Sequence, residues 1–162
     1  MWRLVTTTVV VPQAIVLRIS AQRQRFLPAE TGGFLLGMRR GRHLEVTDMT
    51  EQKPLDSATR FSFERRDPAH ARQIEGEWRQ SNALVSVIGD WHTHPFGPGD
   101  ASGTDRKAWR VLARTARQPI IGLIDAGTPL PTLFWTRNAA LLGSTKKLTL
   151  TAVEGEDLAF SF

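Results

Sequence analysis

The stretch GDWHTHPFGPGDASGTD, residues 89–105, places two of the chain's four histidines, His92 and His94, one residue apart and follows them with a turn-rich loop that ends at Asp105. Residues two apart on a strand project to the same side, so the two imidazoles face one ion while Thr93 turns away. Pro95 stops the strand, and the glycines and proline of FGPGDASG form a loop able to bring back a third ligand, for which Asp105 is the natural candidate. Two neutral imidazoles and one carboxylate leave the fourth tetrahedral position of zinc open to water, the arrangement of a catalytic rather than a structural site. The same residues have readings that need no metal. An HxH pair also occurs as two exposed histidines at a strand end, and Ser102-x-x-Asp105 has the form of a capping box, with Ser102 closing a helix terminus and Asp105 in its first turn. The metal and cap readings are compatible, because a capped turn fixes the carboxylate's orientation toward the end of the preceding strand.

A hydrolase also needs a proton carrier. Glu30 lies between a helix end and the apolar run GGFLLG; on local sequence alone it reads equally as a solvated strand-edge carboxylate. Asp90 and Asp100 compete with it. Asp90 shares parity with His92, and reads as support behind the ligands or, preferably, as a strand-end charge. His43 and His70 read as surface histidines, and Trp91, pointing away from the ligands, as packing. With no cysteine in the chain, a thiol nucleophile, thiolate ligands and disulfides are excluded, so any metal rests on imidazole and carboxylate.

These residues need a frame. At 162 residues, without repeats or a linker-like change in composition, the chain reads as one domain, 1–162, able to bury a core unaided. A first strand is expected near residues 3–10, then a helix with Pro12 in its first turn, with Ile15, Ile19 and Phe26 on one face, ended by Pro28. GGFLLGMRRGRHLEVTDMTEQ reads as two strands around an Arg-Gly turn, and residues 59–65 as a further extended segment. Asp67-Pro68 starts a helix carrying Ala71, Ile74 and Trp78 at helical spacing, ended near Asn82. ALVSVIGDWHTHP is a strand, SGTDRKAWRVLARTAR a helix, and PIIGLIDA, PTLFWTR and KKLTLTAVEG are strands. The alternation lacks a strict βαβ rhythm, so the expected fold class is α/β in the α+β sense: a mixed, curved β-sheet flanked by helices.

A hydrophobic fraction of 41% and a charged fraction of 23% are those of a soluble globular protein. No apolar run suits a membrane helix and no export signal is read at the amino terminus, so the expected location is cytoplasmic. The net charge of +5 is scattered along the chain rather than gathered in one block, which argues against nucleic acid, and a positive surface equally suits an acidic protein partner.

Together, ETGGFLLG with Glu30, WHTHP with His92 and His94, then seven residues to Ser102 and two more to Asp105, resemble the JAMM motif, E…HxHx(7)SxxD, of MPN+ (JAB) zinc metallopeptidases. The resemblance implies that His92, His94 and Asp105 ligate one zinc ion per chain, that Glu30 holds the attacking water and moves its proton, and that Ser102 stabilises the developing oxyanion. No motif position is substituted, unlike the inactive MPN branch, whose members lack the ligands and serve as scaffolds.

The wording of ETGG and GDWHTHP is most similar to small bacterial members encoded beside E1-like and E2-like enzymes in antiphage operons of the type II CBASS and Bil kinds. That implies hydrolysis of the amide bond after the C-terminal tail of a ubiquitin-like protein or other conjugated protein, with the operon's E1-like and E2-like enzymes or a CD-NTase-type cyclase as partners. Family substrates are held extended, and residues 53–63 are a candidate edge for such pairing. A non-catalytic MPN-type scaffold, a RadC-like nucleic-acid-associated protein and a mononuclear iron oxygenase stay open as alternatives.

Overall fold

TVVVP, β-branched at every position but the last, forms β1 (Thr8–Pro12). The computed structural model describes residues 6–138 and 144–162, so residues 3–5 of the expected first strand lie outside the described residues. Pro12 closes β1 rather than entering the helix that follows, α1 (Gln13–Phe26). Ile15 and Ile19 are buried as their spacing predicts, but the third buried position is Gln22, not Phe26, because the Gln22 amide donates to Glu51 at 3.0 Å.

A hairpin follows, β2 (Gly32–Arg40) and β3 (His43–Met49), turning at Gly41 with φ +62°. The short pair β4 (Ser57–Ala58) and β5 (Phe63–Glu64) stands apart from the main sheet. Next come α2 (Ala69–Gln80), β6 (Ser86–Thr93), α3 (Gly103–Ala116), β7 (Ile120–Asp125) and β8 (Thr132–Thr136). The expected single strand KKLTLTAVEG is broken into β9 (Thr145–Lys147) and β10 (Thr149–Glu154), and β11 (Asp157–Ser161) completes the fold.

The main sheet runs β10-β11-β1-β3-β2-β6-β7-β8-β9, parallel for β1 with β3 and for β6 with β7, antiparallel elsewhere. It is mixed, as expected. Its curvature follows from the chain: the two edge strands β9 and β10 are joined by Leu148 alone. Laid flat, nine strands would separate those edges by roughly 38 Å, whereas one linking residue spans about 7 Å. The sheet therefore curls until its edges meet at Leu148, which is buried and donates its N–H to the Leu133 carbonyl. Register shifts between Leu35 and Gly37 in both pairings of β2 add twist at the centre.

Strand parity divides the packing. Trp91, Ile121, Leu123, Leu133 and Trp135 enter one core with Ile15 and Ile19 of α1. The even-numbered Ile120, Ile124 and Phe134 pack with Trp109 and Ala113 of α3. β6 is buried from Ile88 to Thr93, covered on both faces. Its even positions, Asp90 and His92, therefore lie on the face that α3 covers.

Candidate metal centre and its cleft

The central strand pair sets the histidines. Gly32 lies opposite His92 and Gly33 opposite Trp91. Just beyond the ladder, the Thr31 N–H donates to Thr93 Oγ1 at 3.0 Å and the Thr93 N–H donates to the Thr31 carbonyl at 2.9 Å. The threonine between the histidines thus ties down the residue next to Glu30, while the Glu30 N–H donates to the Thr59 carbonyl at 2.7 Å. The glycines of ETGG have a steric reason: a Cβ on Gly33 would fall onto the Thr50 carbonyl, the group that accepts from Trp91 Nε1.

His94 lies just past the strand, its N–H on the Asp125 carbonyl and its Nδ1 on the Pro98 carbonyl at 2.9 Å. A carbonyl only accepts, so Nδ1 carries the proton and Nε2 keeps a free lone pair. Ser102 caps α3 reciprocally: Ser102 Oγ accepts from the Asp105 N–H at 3.1 Å and Asp105 Oδ2 accepts from the Ser102 N–H at 2.7 Å. The cap turns Asp105 toward the strand end.

His92 Nε2 is 3.2 Å from His94 Nε2 and 3.2 Å from Asp105 Oδ1, and His94 Nε2 is 3.6 Å from Asp105 Oδ2. A tetrahedral ion with nitrogen and oxygen ligands at about 2.0–2.2 Å sets those donors about 3.3–3.6 Å apart. Imidazole lone pairs converging on a carboxylate repel unless a cation or proton lies between them, so both donor chemistry and spacing fit a divalent ion.

Glu30, His92, His94, Ser102 and Asp105 line one solvent-accessible cleft of about 450 Å³. Burial pushes the Glu30 carboxyl above the ordinary glutamate range; Asp105's charge adds to this and the two imidazoles pull against it. Asp105, despite burial, is held far below the usual carboxylate range by the His92 and His94 side chains that face it, with Ser102 helping. His94 is raised by the facing Asp105 carboxylate, against burial, with the Pro98 carbonyl helping. The outer lip is aromatic and basic: Phe61 is 82% exposed, and Arg60 stacks over Phe96 at 5.0 Å.

Four expectations change. His70 is not a surface histidine: it is 3% exposed, Nδ1 bonded to Thr50 Oγ1 and Nε2 to Asp56 Oδ2, both at 2.8 Å. It is the buried residue of α2, in place of the expected stripe of Ala71, Ile74 and Trp78. Asp90 is not a strand-end charge: it is 3% exposed, accepting from Arg65 Nη2 and from Trp109 Nε1, each at 2.6 Å. Residues 59–65 are not one extended segment, since a turn occupies 59–62 and only Phe63–Glu64 is strand. Residues 53–63 carry β4 and the first residue of β5, a two-stranded ribbon set apart from the main sheet. Asp100 is exposed and faces Lys147 at 3.7 Å. Parity with His92 was the one signal for Asp90; Arg65 and Trp109, 25 and 19 residues from it in sequence, gave none.

Residues 12–138 match the family model described as prokaryotic homologs of the JAB domain. A CD-NTase/cGAS isopeptidase of Escherichia coli (strain TW11681) is 36% identical over 117 residues, covering 72% of this chain and 74% of that protein. A probable metalloprotease of Sinorhizobium fredii is 30% identical over 123 residues, covering 72% and 75%. A Desulfitobacterium hafniense protein known from its solution structure superposes with a TM-score of 0.62 at 19% identity, over 92% of this chain and 94% of that one, a likeness of fold alone. Among the described residues, no helix is long and apolar enough to cross a membrane.

Proposed function

This chain belongs to the family of prokaryotic homologs of the JAB domain, and from that premise we propose that it is a zinc-dependent isopeptidase that cleaves the amide bond after the carboxyl-terminal tail of a ubiquitin-like protein or comparable conjugate. The observation that carries the reading is the convergence of His92, His94 and Asp105, from a strand end and a helix start, within 4.8 Å of one another and in the same cleft as Glu30. The Escherichia coli relative's name extends it to conjugates of a CD-NTase, hence to antiphage defence in the cytoplasm, with E1-like and E2-like enzymes and a CD-NTase-type cyclase as the partners that make the substrate.

In this reading His92, His94 and Asp105 would hold the zinc ion, which when bound supplies Lewis acidity at the scissile carbonyl and makes a water easier to deprotonate. Glu30 accepts that water's proton as its oxygen attacks, then returns a proton to the leaving amine. Its backbone bond to Thr59 and the Thr31–Thr93 pair keep the carboxylate at the cleft. Ser102 Oγ accepts from the Asp105 N–H, which leaves its own O–H available to donate to the carbonyl oxygen as negative charge develops.

The test is metal analysis of the purified chain together with cleavage of a tail-extended ubiquitin-like fusion. One zinc per chain is expected, with a chelator removing both metal and activity. Glu30→Gln should keep zinc and lose about 10²- to 10⁴-fold in turnover, while His92→Ala should lose both. Undiminished cleavage by Glu30→Gln would remove the general base, and a wild-type chain without bound metal would overturn the reading.

A further inference from the structure

The two imidazoles at the site are oriented by different means. His94 is fixed through its far nitrogen by the Pro98 carbonyl. Among the described residues no hydrogen bond holds the far nitrogen of His92; its ring instead lies beside Trp109, centroids 6.1 Å apart and planes at 43°. A ring held by packing is only as well oriented as the wall it packs on.

That wall is fixed on three sides. Trp109 is fully buried, packs on Phe134 at 5.2 Å, and lies so close over Gly122 that a Cβ there would strike the indole. On the third side its Nε1 donates to Asp90 Oδ1 at 2.6 Å, which fixes the indole's edge. Asp90 shares parity with His92 on β6 and Trp109 sits one turn beyond Asp105 on α3, so this bond ties the strand carrying one metal donor to the helix carrying another. The second oxygen, Oδ2, holds Arg65, whose guanidinium stacks over Phe34 at 4.8 Å at the cleft wall.

We propose that Asp90 is a positioning residue for the metal centre, acting through the Trp109 indole to orient His92 and to hold the first turn of α3 against β6. The inference rests on the reading of His92, His94 and Asp105 as metal donors. Asp90 is not one of the three candidate donors; its carboxylate is bonded to Trp109 and Arg65. Its action runs through the Trp109 arm, whereas the Arg65 arm secures the cleft wall and keeps the buried carboxylate paired.

The experiment measures zinc affinity by competition with a chromophoric chelator, the visible spectrum of cobalt bound in place of zinc, and the unfolding free energy of the metal-free chain. Trp109→Phe and Asp90→Ala should each weaken zinc binding by about tenfold and shift the cobalt spectrum. A purely structural role would lower the unfolding free energy without moving the cobalt spectrum. Wild-type affinity and spectrum in Trp109→Phe overturn the proposal even if Asp90→Ala does not fold, as does a loss in Asp90→Ala that Trp109→Phe does not share. Absence of zinc binding by the wild-type chain would instead overturn the reading of the site itself.

Discussion

Asp56 lies outside the cleft, yet it is as heavily bonded as any residue in it. It accepts the backbone N–H groups of Lys53, Arg66 and Asp67 at 2.7, 2.9 and 3.0 Å and faces His70 Nε2 at 2.8 Å. The Asp56 carboxylate can only accept, so His70 Nε2–H donates to it, and Nδ1 of the neutral ring accepts from the Thr50 hydroxyl, whose oxygen in turn accepts from the Phe34 N–H. Burial pushes the Asp56 carboxyl up, but these donors outweigh it and hold the carboxyl below the ordinary aspartate range. A depressed folded value contributes stability that is complete above the unfolded value near pH 3.9 and is lost as pH falls through the folded one. Asp56→Asn should therefore lower the unfolding free energy at neutral pH by about 1–3 kcal/mol and flatten the acid limb; chemical denaturation at several pH values checks this, and parallel limbs would refute it. None of this network was legible beforehand. Its partners stand 14 and 20 residues apart in sequence, and a polar residue gives no periodic sign that it will be buried. The convergence of His92, His94 and Asp105 was legible, because their spacing is local and their chemistry is carried by residue type.

The elements were legible where a local rule also served the tertiary structure. Ser102-x-x-Asp105 predicts the start of α3 from capping alone, and the structure has both reciprocal bonds. α2 was harder: Asp67 Oδ1 does accept the Ala69 N–H at 2.8 Å, as a cap should, but the helix docks by His70 and not by its apolar spacing. Ser102 caps the helix and, in the proposed mechanism, also donates to the developing oxyanion, and two substitutions separate the roles. Ser102→Ala should cost about 1 kcal/mol and Ser102→Gly only a few tenths, since glycine is tolerated at a cap. Both remove the hydroxyl, so both should lose about 10²-fold or more in turnover. Urea titration alongside turnover measures the two effects, and a Gly variant with wild-type turnover would leave Ser102 with capping alone.

At the scale of the whole molecule, the curl of the sheet depends on one corner. Mixed pairing could be anticipated from the irregular alternation of elements. The meeting of the two edges could not, because KKLTLTAVEG reads as one continuous strand and only the global path shows that Leu148 must turn out of it. Leu148 is 5% exposed and belongs to the larger core, so Leu148→Ala should cost about 2–5 kcal/mol in chemical denaturation. A cost below 1 kcal/mol would mean that the corner is not held by burial.

The sheet order also bears on how the chain reaches this state. β1 has two neighbours: β3, which follows soon after it, and β11, paired from Thr8↔Ser161 to Pro12↔Asp157. Contacts of such long sequence separation place the fold among those that assemble in milliseconds to seconds. During synthesis β1 emerges well before its partner β11. Until β11 emerges, one edge of β1 stays open to any other strand that meets it, so the nascent chain is exposed to aggregation throughout that interval.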